Sequence, residues 1–417
     1  MKTVNRRTVL GGAVAAAAGI VWGGAGRAAA APPPVPVSVP DLTALRRDLH
    51  AHPEAPGREA RTAAVVAGRL RAAGLAVTTD VGGHGVVAVL HGTRPGRTVA
   101  YRADMDAVPP QDIVGGGTAA AHLCGHDIHT TVAVGVAEAL ARQRSRHGHG
   151  HELSGSVVFL FQPAEEALAG ARALLDAGVL ERHGVEEIHA LHCGPFPVGQ
   201  FAVTPGYGLP GQDRAEIRLA GVAGAAAGAA RRLAADIAAL ATVTPPQTPA
   251  ELEKMVADVR TPDGPLARFV AVRARAEEAT VRVSFRCWPQ ERYVGIREEI
   301  RRLAGACAGA SVTFPAAPFP AMVCPEPEAR ALARHLRGTL GRQSVTELHA
   351  AFPFNGEDFA LYLDRVPGTY TFLGVRTPGA PVTTAYPHYP DFTPDERAIG
   401  TGVRAMTGWI AERTRRG

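Results

Sequence analysis

The stretch AHLCGHDIHT, Ala121 to Thr130, places a thiol, two imidazoles and a carboxylate close together in the chain. These three groups bind borderline-soft divalent metals. Gly125 lets the backbone turn so that its two neighbours can point at one centre. The alternative is a small buried cysteine beside two surface histidines, and the rest of the chain has to decide between them. The four side chains are Cys124, His126, Asp127 and His129.

Three predicted buried strands lead into side chains of the same kinds. Strands alternate with helices through residues 41–205, which predicts an α/β domain with a largely parallel sheet. Ligands bind at the carboxyl ends of strands in such sheets. The strands are TVAYR (98–102) before Asp104 and Asp106, VVFLF (157–161) before Glu165 and Glu166, and IHALH (188–192), which ends on His192.

A second region follows Pro210. Its pattern predicts a β-α-β-β-α-β order, which is typical of a small ferredoxin-like α+β domain inserted into the first. After residue 325 the α/β pattern returns, with a helix at 327–340, a strand at 369–374, a loop carrying His388 and a last helix from Pro394. The elements of the insertion are DRAEIRL (213–219), a helix at 225–243, TVRVSFR (280–286), a helix at 294–305 and SVTF (311–314).

The amino terminus has the pattern of an export signal. Arg6 and Arg7 precede an apolar, glycine-rich run and small residues at 28–30, which is typical of a twin-arginine signal over residues 1–30. We therefore expect a periplasmic, cell-surface or extracellular protein without a stable membrane anchor. A proline-rich linker at 31–40 follows, and Asp41 is predicted to cap the first helix.

Charge and cysteine content limit the function. The formal net charge is +5, and it falls by four to +1 without the first thirty residues, which contain four basic residues and no acid. This near-neutral balance gives no electrostatic case for nucleic-acid binding. Five scattered cysteines make a poor disulfide framework, so at least one has another role. The histidine-rich segment RSRHGHGH (144–151) is interpreted as a surface loop.

Distant side chains complete a candidate metal site. Singly, the two adjacent glutamates also suit a solvated helix start, and either distant histidine could be structural. Together the set suits two divalent ions with open coordination positions, and Glu165 is placed to take a proton from water. The candidate ligands are Cys124, His126, Glu166, His192 and His388.

The ordered motifs resemble the metal-dependent amidohydrolase family that includes hippurate hydrolase, aminoacylases and plant auxin-amino-acid hydrolases. The resemblance covers nearly the whole chain after the linker. The matching motifs are LRRDLHAHPE (45–54), RADMDAVP (102–109), HLCGHDIHT (122–130), QPAEE (162–166), LHCGP (191–195), GEDF (356–359), VPGTYTFLG (366–374) and HYPDF (388–392).

The resemblance implies a role for each candidate residue. Cys124, His126, Glu166, His192 and His388 would be the ligands of two divalent ions, zinc being favoured over manganese, cobalt or nickel. Glu165 would be the general base, with Asp106 counted beside it in the catalytic set, and Asp104 and Asp106 would orient the ligands. The implied substrate is an N-acyl amino acid or a small peptide.

The resemblance also implies a division of the chain. A zinc-peptidase-like catalytic domain would comprise residues 41–211 and 319–417, and residues 212–318 would form a lid or dimerisation domain. A homodimer through that insertion is left open, and so is the substrate's acyl group.

One stretch departs from the family pattern. Relatives carry a histidine at the start of the lid that helps to stabilise the oxyanion, whereas residues 221–230 around Ala225 contain none. Losing one oxyanion donor costs roughly a hundred- to thousandfold in rate. Arg214 or Arg286 could replace it; the alternative is a catalytically silent or weakened homologue that binds a small ligand.

Overall fold

The computed structural model describes residues 38–145 and 153–416. The predicted export signal, all but the end of the linker and most of the 144–151 loop lie outside these residues. In the described part, the first helix begins at Val39 and is capped by Ser38, whose Oγ accepts the Asp41 N–H. The prediction that Asp41 is the cap was therefore wrong, because the helix begins three residues earlier than that cap implies.

The strands of the described residues are β1 (Ala76–Val81), β2 (Gly85–His91), β3 (Arg94–Asp104), β4 (Ser154–Gln162), β5 (Glu187–Pro197), β6 (Phe201–Val203), β7 (Gly208–Leu209), β8 (Asp213–Arg218), β9 (Phe269–Glu277), β10 (Thr280–Trp288), β11 (Ser311–Thr313), β12 (Met322–Val323), β13 (Val345–Glu347) and β14 (Gly368–Arg376).

The α-helices of the described residues are α1 (Val39–His50), α2 (Ala60–Ala72), α3 (His126–Ser145), α4 (Gly170–Asp176), α5 (Val179–His183), α6 (Ala223–Ala238), α7 (Pro249–Asp258), α8 (Tyr293–Gly305), α9 (Glu326–Leu340), α10 (Ala360–Leu363) and α11 (Arg397–Arg413). None of these helices is both long and apolar enough to cross a bilayer.

Eight strands form the large sheet, in the order β1-β2-β4-β3-β5-β14-β6-β13. Its centre, β4-β3-β5-β14, is parallel throughout, and antiparallel pairs lie toward the edges. The central strands are apolar on both faces because each face is covered. Helices α1, α2, α3 and α11 pack in one core, and α4, α5 and α10 pack in the other. This confirms the predicted α/β class and mostly parallel sheet.

A separate antiparallel sheet, here called the small sheet, has the order β11-β8-β10-β9. Helices α6 and α8 cover one of its faces, around a core that includes Ile217, Phe285 and Ile300. The order β8-α6-β9-β10-α8-β11 is ferredoxin-like, as predicted. Strand β9 was not predicted as a separate element, and α7 is an addition to the pattern.

Helix α7 lies within 212–318 in sequence but packs outside the small-sheet core. Its buried residues Leu252, Met255 and Val256 belong to the second core of the large sheet. The ion pair between Glu253 and Arg376 also joins α7 to the end of β14. The insertion is thus tied to the catalytic part through α7.

Candidate metal centre

The predicted ligands meet at the carboxyl ends of the central parallel strands. Arg102 of β3 pairs with Leu160 of β4 and Ala190 of β5. Two residues further along each strand, Asp104, Gln162 and His192 therefore lie level. The prediction that β5 ends on His192 was wrong, because this strand continues to Pro197.

Gly125 connects Cys124 to the first turn of α3, which begins at His126. Its φ of 89° lies in the left-handed region. A Cβ at this position would lie 2.6 Å from the Sγ of Cys193. Only glycine therefore allows the backbone to turn here, and His126 and His129 then face the sheet from one side of the helix.

Each candidate histidine is oriented by a hydrogen bond from its Nδ1–H. Because a backbone carbonyl or a carboxylate can only accept, Nδ1 carries the proton and Nε2 keeps its lone pair for a metal. The bonds run from His126 to Oδ1 of Asp106 (3.2 Å), from His192 to the backbone oxygen of Cys193 (2.7 Å) and from His388 to the backbone oxygen of Asp112 (3.0 Å).

The five candidate ligands form two adjoining groups. On one side, the Sγ of Cys124 lies 3.4 Å from Nε2 of His192. On the other side, Glu166 lies between two histidines: its Oε2 is 3.3 Å from Nε2 of His388, and its Oε1 is 3.8 Å from Nε2 of His126. Cys124, His126 and Glu166 also each offer a ligand atom, and these three atoms lie within 4.8 Å of one another. The thiol therefore adjoins both groups.

The donor set fits divalent cations. Nε2 of His126 and Oε1 of Glu166 are buried without a hydrogen-bond partner in the described residues. Buried polar atoms are rarely left unpaired, and these two face each other. Burial raises the pKa of the Cys124 thiol well above its ordinary value, and two nearby glutamates raise it further. Only a bound cation makes a thiolate favourable in these surroundings.

Glu165 lies beside the ligands and lines the open cleft. Its Oε2 is 3.9 Å from Nε2 of His126. Burial raises the pKa of Glu165 well above its ordinary value, and Glu357 and Glu166 raise it further, against the opposing effect of Arg102. A carboxylate with a raised pKa and access to the cleft is suited to accept a proton.

Asp106 lies behind the ligands. One oxygen accepts from His126, and the other accepts the backbone N–H of Glu166 at 2.9 Å. Both oxygens are thus used in holding two ligands in place. These contacts place Asp106 where it can orient two ligands, and its membership of the catalytic set beside Glu165 stays a prediction.

Asp104 is also a positioning residue. It accepts from Nδ1 of His129 at 2.6 Å and from Arg102 at 2.7 Å. Nε2 of His129 accepts the backbone N–H of Cys193 at 2.7 Å. Since both of its nitrogens are bonded, His129 is not free to coordinate a metal, although it lies in the opening motif.

The prediction omitted a buried polar network beneath Glu165. Arg102 donates to Glu357 at 2.9 Å and to Asp358 at 3.0 Å, and the hydroxyl of Tyr370 donates to Glu357 at 2.8 Å. The acids belong to the GEDF motif, and Arg102 begins RADMDAVP. Both motifs carried the family resemblance, so they could have suggested these residues.

The metal centre opens into a cleft of about 1150 Å³ between the large and small sheets. Arg214 and Arg286, the suggested replacements for the absent lid histidine, both line it. None of residues 221–230 whose side chain the structure describes lines the cleft. This stretch runs into the first half of α6, with Val222 81% exposed and Ala226 and Ala230 buried.

Sequence comparisons show the family of this chain. The sequence model of the peptidase family M20/M25/M40 matches residues 100–412. The N-acetylcysteine deacetylase of Bacillus subtilis (strain 168) is 33% identical over 378 residues, covering 86% of this chain and 93% of that protein. An N-acetyldiaminopimelate deacetylase of the same organism is 30% identical over 398 residues, covering 90% of this chain and 99% of that protein.

A solved structure shows the same fold. The YXEP protein of Bacillus subtilis, described as a dinuclear metal-binding peptidase of the M20 family, superposes with a TM-score of 0.66. It is 27% identical, and the match covers 90% of this chain and 98% of that one.

Proposed function

The chain belongs to the peptidase family M20/M25/M40 and is a metal-dependent hydrolase of amide bonds, and we propose that it cleaves N-acyl amino acids at a centre of two divalent ions. The products are a carboxylic acid and a free amino acid. The observation that carries this proposal is the pair of buried, unpaired atoms, Nε2 of His126 and Oε1 of Glu166, facing each other beside Cys124 and His388.

Two ligand groups sharing one thiol support a dinuclear centre. Cys124 and His192 would hold one side, and His126, Glu166 and His388 the other. Thiolate with imidazole and carboxylate favours zinc, and manganese, cobalt and nickel accept similar ligands. The YXEP protein is described as dinuclear, which is consistent with this assignment.

The residues around the centre divide the work of hydrolysis. When bound, the ions supply Lewis acidity that polarises the amide carbonyl and makes a water more acidic. Glu165 accepts a proton from the attacking water and returns it to the departing amine nitrogen. Its raised pKa lets it hold that proton between the two steps. Asp106 holds His126 and Glu166 in position throughout by accepting a hydrogen bond from each.

The oxyanion needs a donor that the family places on the lid. Arg286 is the better candidate of the two arginines, because it is within electrostatic reach of Glu165 and packs against Gly356. The absent histidine supports the second candidate function, a silent or weakened binding homologue, and the complete ligand set and Glu165 support the enzyme.

Export and dimerisation extend the proposal. The paired arginines Arg6 and Arg7 support export through a twin-arginine route. A reporter fused to residues 1–40 tests this, because changing both arginines to lysine should abolish its export. In the described residues, β9 and β11 are the edge strands of the small sheet, and such edges support a homodimer through 212–318. Light scattering after gel filtration gives the molar mass and therefore distinguishes a monomer from a dimer.

The decisive experiment for the proposed function is a substrate panel. The protein is stripped with a chelator, reloaded separately with zinc, manganese, cobalt or nickel, and assayed on hippurate and N-acetyl amino acids, including N-acetylcysteine. Turnover that depends on added metal is the expected result. A metal-loaded protein that binds these amides and hydrolyses none would support the binding homologue instead.

A further inference from the structure

We propose that three arginines of the small sheet form an anion subsite that selects substrates with two carboxylates. The arginine cluster consists of Arg214, Arg273 and Arg286, and all three line the cleft. The proposal rests on the proposed function, since it specifies the substrate class of the same cleft. The second carboxylate is on the amino-acid side chain or on the acyl group.

The strand register brings the three arginines to one face. Ser284 of β10 lies directly opposite Arg214 of β8 on one side and Arg273 of β9 on the other. Arg286 is two residues along β10 and therefore shares that face. The two outer arginines are separated by two strand spacings, about 10 Å between backbones. The short side chain of Ser284 leaves room between them.

The cluster has no acidic partner in the part of the chain that the structure describes. The guanidinium of Arg214 donates to Oε1 of Gln212 at 3.2 Å, and that of Arg286 donates to the backbone oxygen of Pro210 at 3.2 Å. Both acceptors are uncharged. Among residues 38–145 and 153–416, Arg273 forms neither a hydrogen bond nor an ion pair through its side chain.

The acids of the same face pair elsewhere. Arg282 lies within 2.9 Å of both Glu216 and Glu277, and Arg218 lies within 2.7 Å of Glu216. These pairs lie toward the end of the sheet away from the cleft. In the described residues, the acids of this face are therefore paired with arginines outside the cleft, and none of them forms an ion pair with the arginine cluster.

The cluster and the metal centre share one electrostatic environment. Burial, together with the nearby Arg214 and Arg273, lowers the pKa of Arg286 to about 10, against the opposing effect of Glu165. Arg273 also stabilises the charged form of Asp112, whose backbone oxygen orients a ligand histidine. A substrate at the metal centre therefore lies within reach of these cations.

A count of charges indicates two carboxylates. The acids that line the cleft are Asp112, Glu165 and Glu166, and the two glutamates belong to the metal centre. Arg286 is the candidate oxyanion donor, so an ordinary N-acyl amino acid brings one carboxylate to the two remaining arginines, Arg214 and Arg273. A second carboxylate relieves the remaining repulsion and gains charge-assisted hydrogen bonds, which favour the dianion by roughly tenfold to a hundredfold.

The test compares isosteric pairs that differ in one charge. N-Acetylglutamate against N-acetylglutamine places the charge on the amino acid, and N-succinylglycine against N-succinamoylglycine places it on the acyl group. We expect kcat/KM to favour the dianion by about tenfold or more in at least one pair. Equal or better hydrolysis of the neutral partner in both pairs would overturn the proposal.

Variants connect the preference to the cluster. Arg273→Gln and Arg214→Gln should each reduce the ratio, and the double variant should bring it to within about threefold of one. Arg275→Gln is the matched control, because Arg275 is an exposed arginine on the same face of β9 outside the cleft, and the ratio should not change. An unchanged ratio in the double variant would refute the subsite.

Binding separates this proposal from the proposed function. Calorimetry on metal-loaded Glu165→Gln protein measures the dissociation constants of the same pairs without turnover. If no amide is hydrolysed by the wild-type protein, the proposed function fails. In that case the subsite is supported if the dianion binds about tenfold more tightly than its isostere with one charge fewer and loses this advantage in Arg273→Gln. Equal binding of the two amides, or an advantage that persists in Arg273→Gln, would refute it.

Discussion

Replacing Asp106 by asparagine is predicted to weaken metal binding while the fold is kept. Its two oxygens accept from His126 at 3.2 Å and from the backbone N–H of Glu166 at 2.9 Å. An amide has one oxygen and one NH2 group, so one of the two donors would face another donor. Losing a charge-assisted bond in this buried position costs about 1.5–3 kcal/mol, which corresponds to roughly ten- to hundredfold in metal affinity.

Competition with a chelating indicator gives the metal affinity, and kcat is measured at saturating metal. Asp112→Asn is the control, because Asp112 orients His388 through its backbone oxygen, which the substitution keeps. We expect that control to change the affinity by less than about threefold. An Asp106→Asn protein that binds metal as tightly as the wild type would refute the positioning role.

Three further perturbations test other parts of the account. Glu165→Gln should lower kcat by about 10²- to 10⁴-fold with the bound-metal content unchanged, and wild-type turnover in this variant would contradict its role as the base. Gly125→Ala places a Cβ 2.6 Å from the Sγ of Cys193 at a φ of 89°, so denaturant titration should show a free energy of unfolding lower by about 2–4 kcal/mol. The control is Gly74→Ala, which also has a positive φ but open space around the new Cβ, and it should lower the free energy of unfolding by only about 1–2 kcal/mol. Burial and two nearby arginines lower the pKa of His189 well below 6.5, so the unfolded chain binds this proton first and stability falls as the pH drops below 6.5. The wild-type free energy of unfolding should fall by about 1.4 kcal/mol from this cause at pH 5.5. The decrease between pH 7.5 and 5.5 should therefore be about 1.4 kcal/mol smaller in His189→Asn than in the wild type, and an equal decrease would contradict the assignment.

The sequence predicted the fold wherever the apolar pattern is unambiguous. VVFLF (157–161) has no polar position, which is typical of a strand covered on both faces, and it forms the buried part of β4. Strand β9 escaped prediction as a separate element because RARAE (273–277) alternates small and charged residues without a strong apolar face. Its small residues are only half-buried, against the core that α6 and α8 form with the sheet.

The candidate site was predictable as a set of residue types, and less so as a geometry. Cys124, His126 and His388 could be proposed from motifs, but which histidine nitrogen is free depends on partners far away in sequence. His129 shows this limit: it lies in the same motif, and its bonds to Asp104 and Cys193 exclude it as a ligand.

The arginine cluster illustrates the same limit more strongly. Arg214, Arg273 and Arg286 come from three strands, and none lies in a motif that carried the family resemblance. Their common position follows from the register of β8, β9 and β10, which composition and periodicity do not specify. Their lack of acidic partners is likewise visible only in three dimensions.

The most direct test of the dinuclear centre is a metal titration of the stripped protein. Bound metal per chain is measured after gel filtration, and hydrolysis of N-acetylcysteine is followed in the same samples. We expect the activity to rise with added metal and to reach a plateau at about two ions per chain. A chain that retains no ion, or reaches full activity with a single ion, would contradict the two-group arrangement around Cys124.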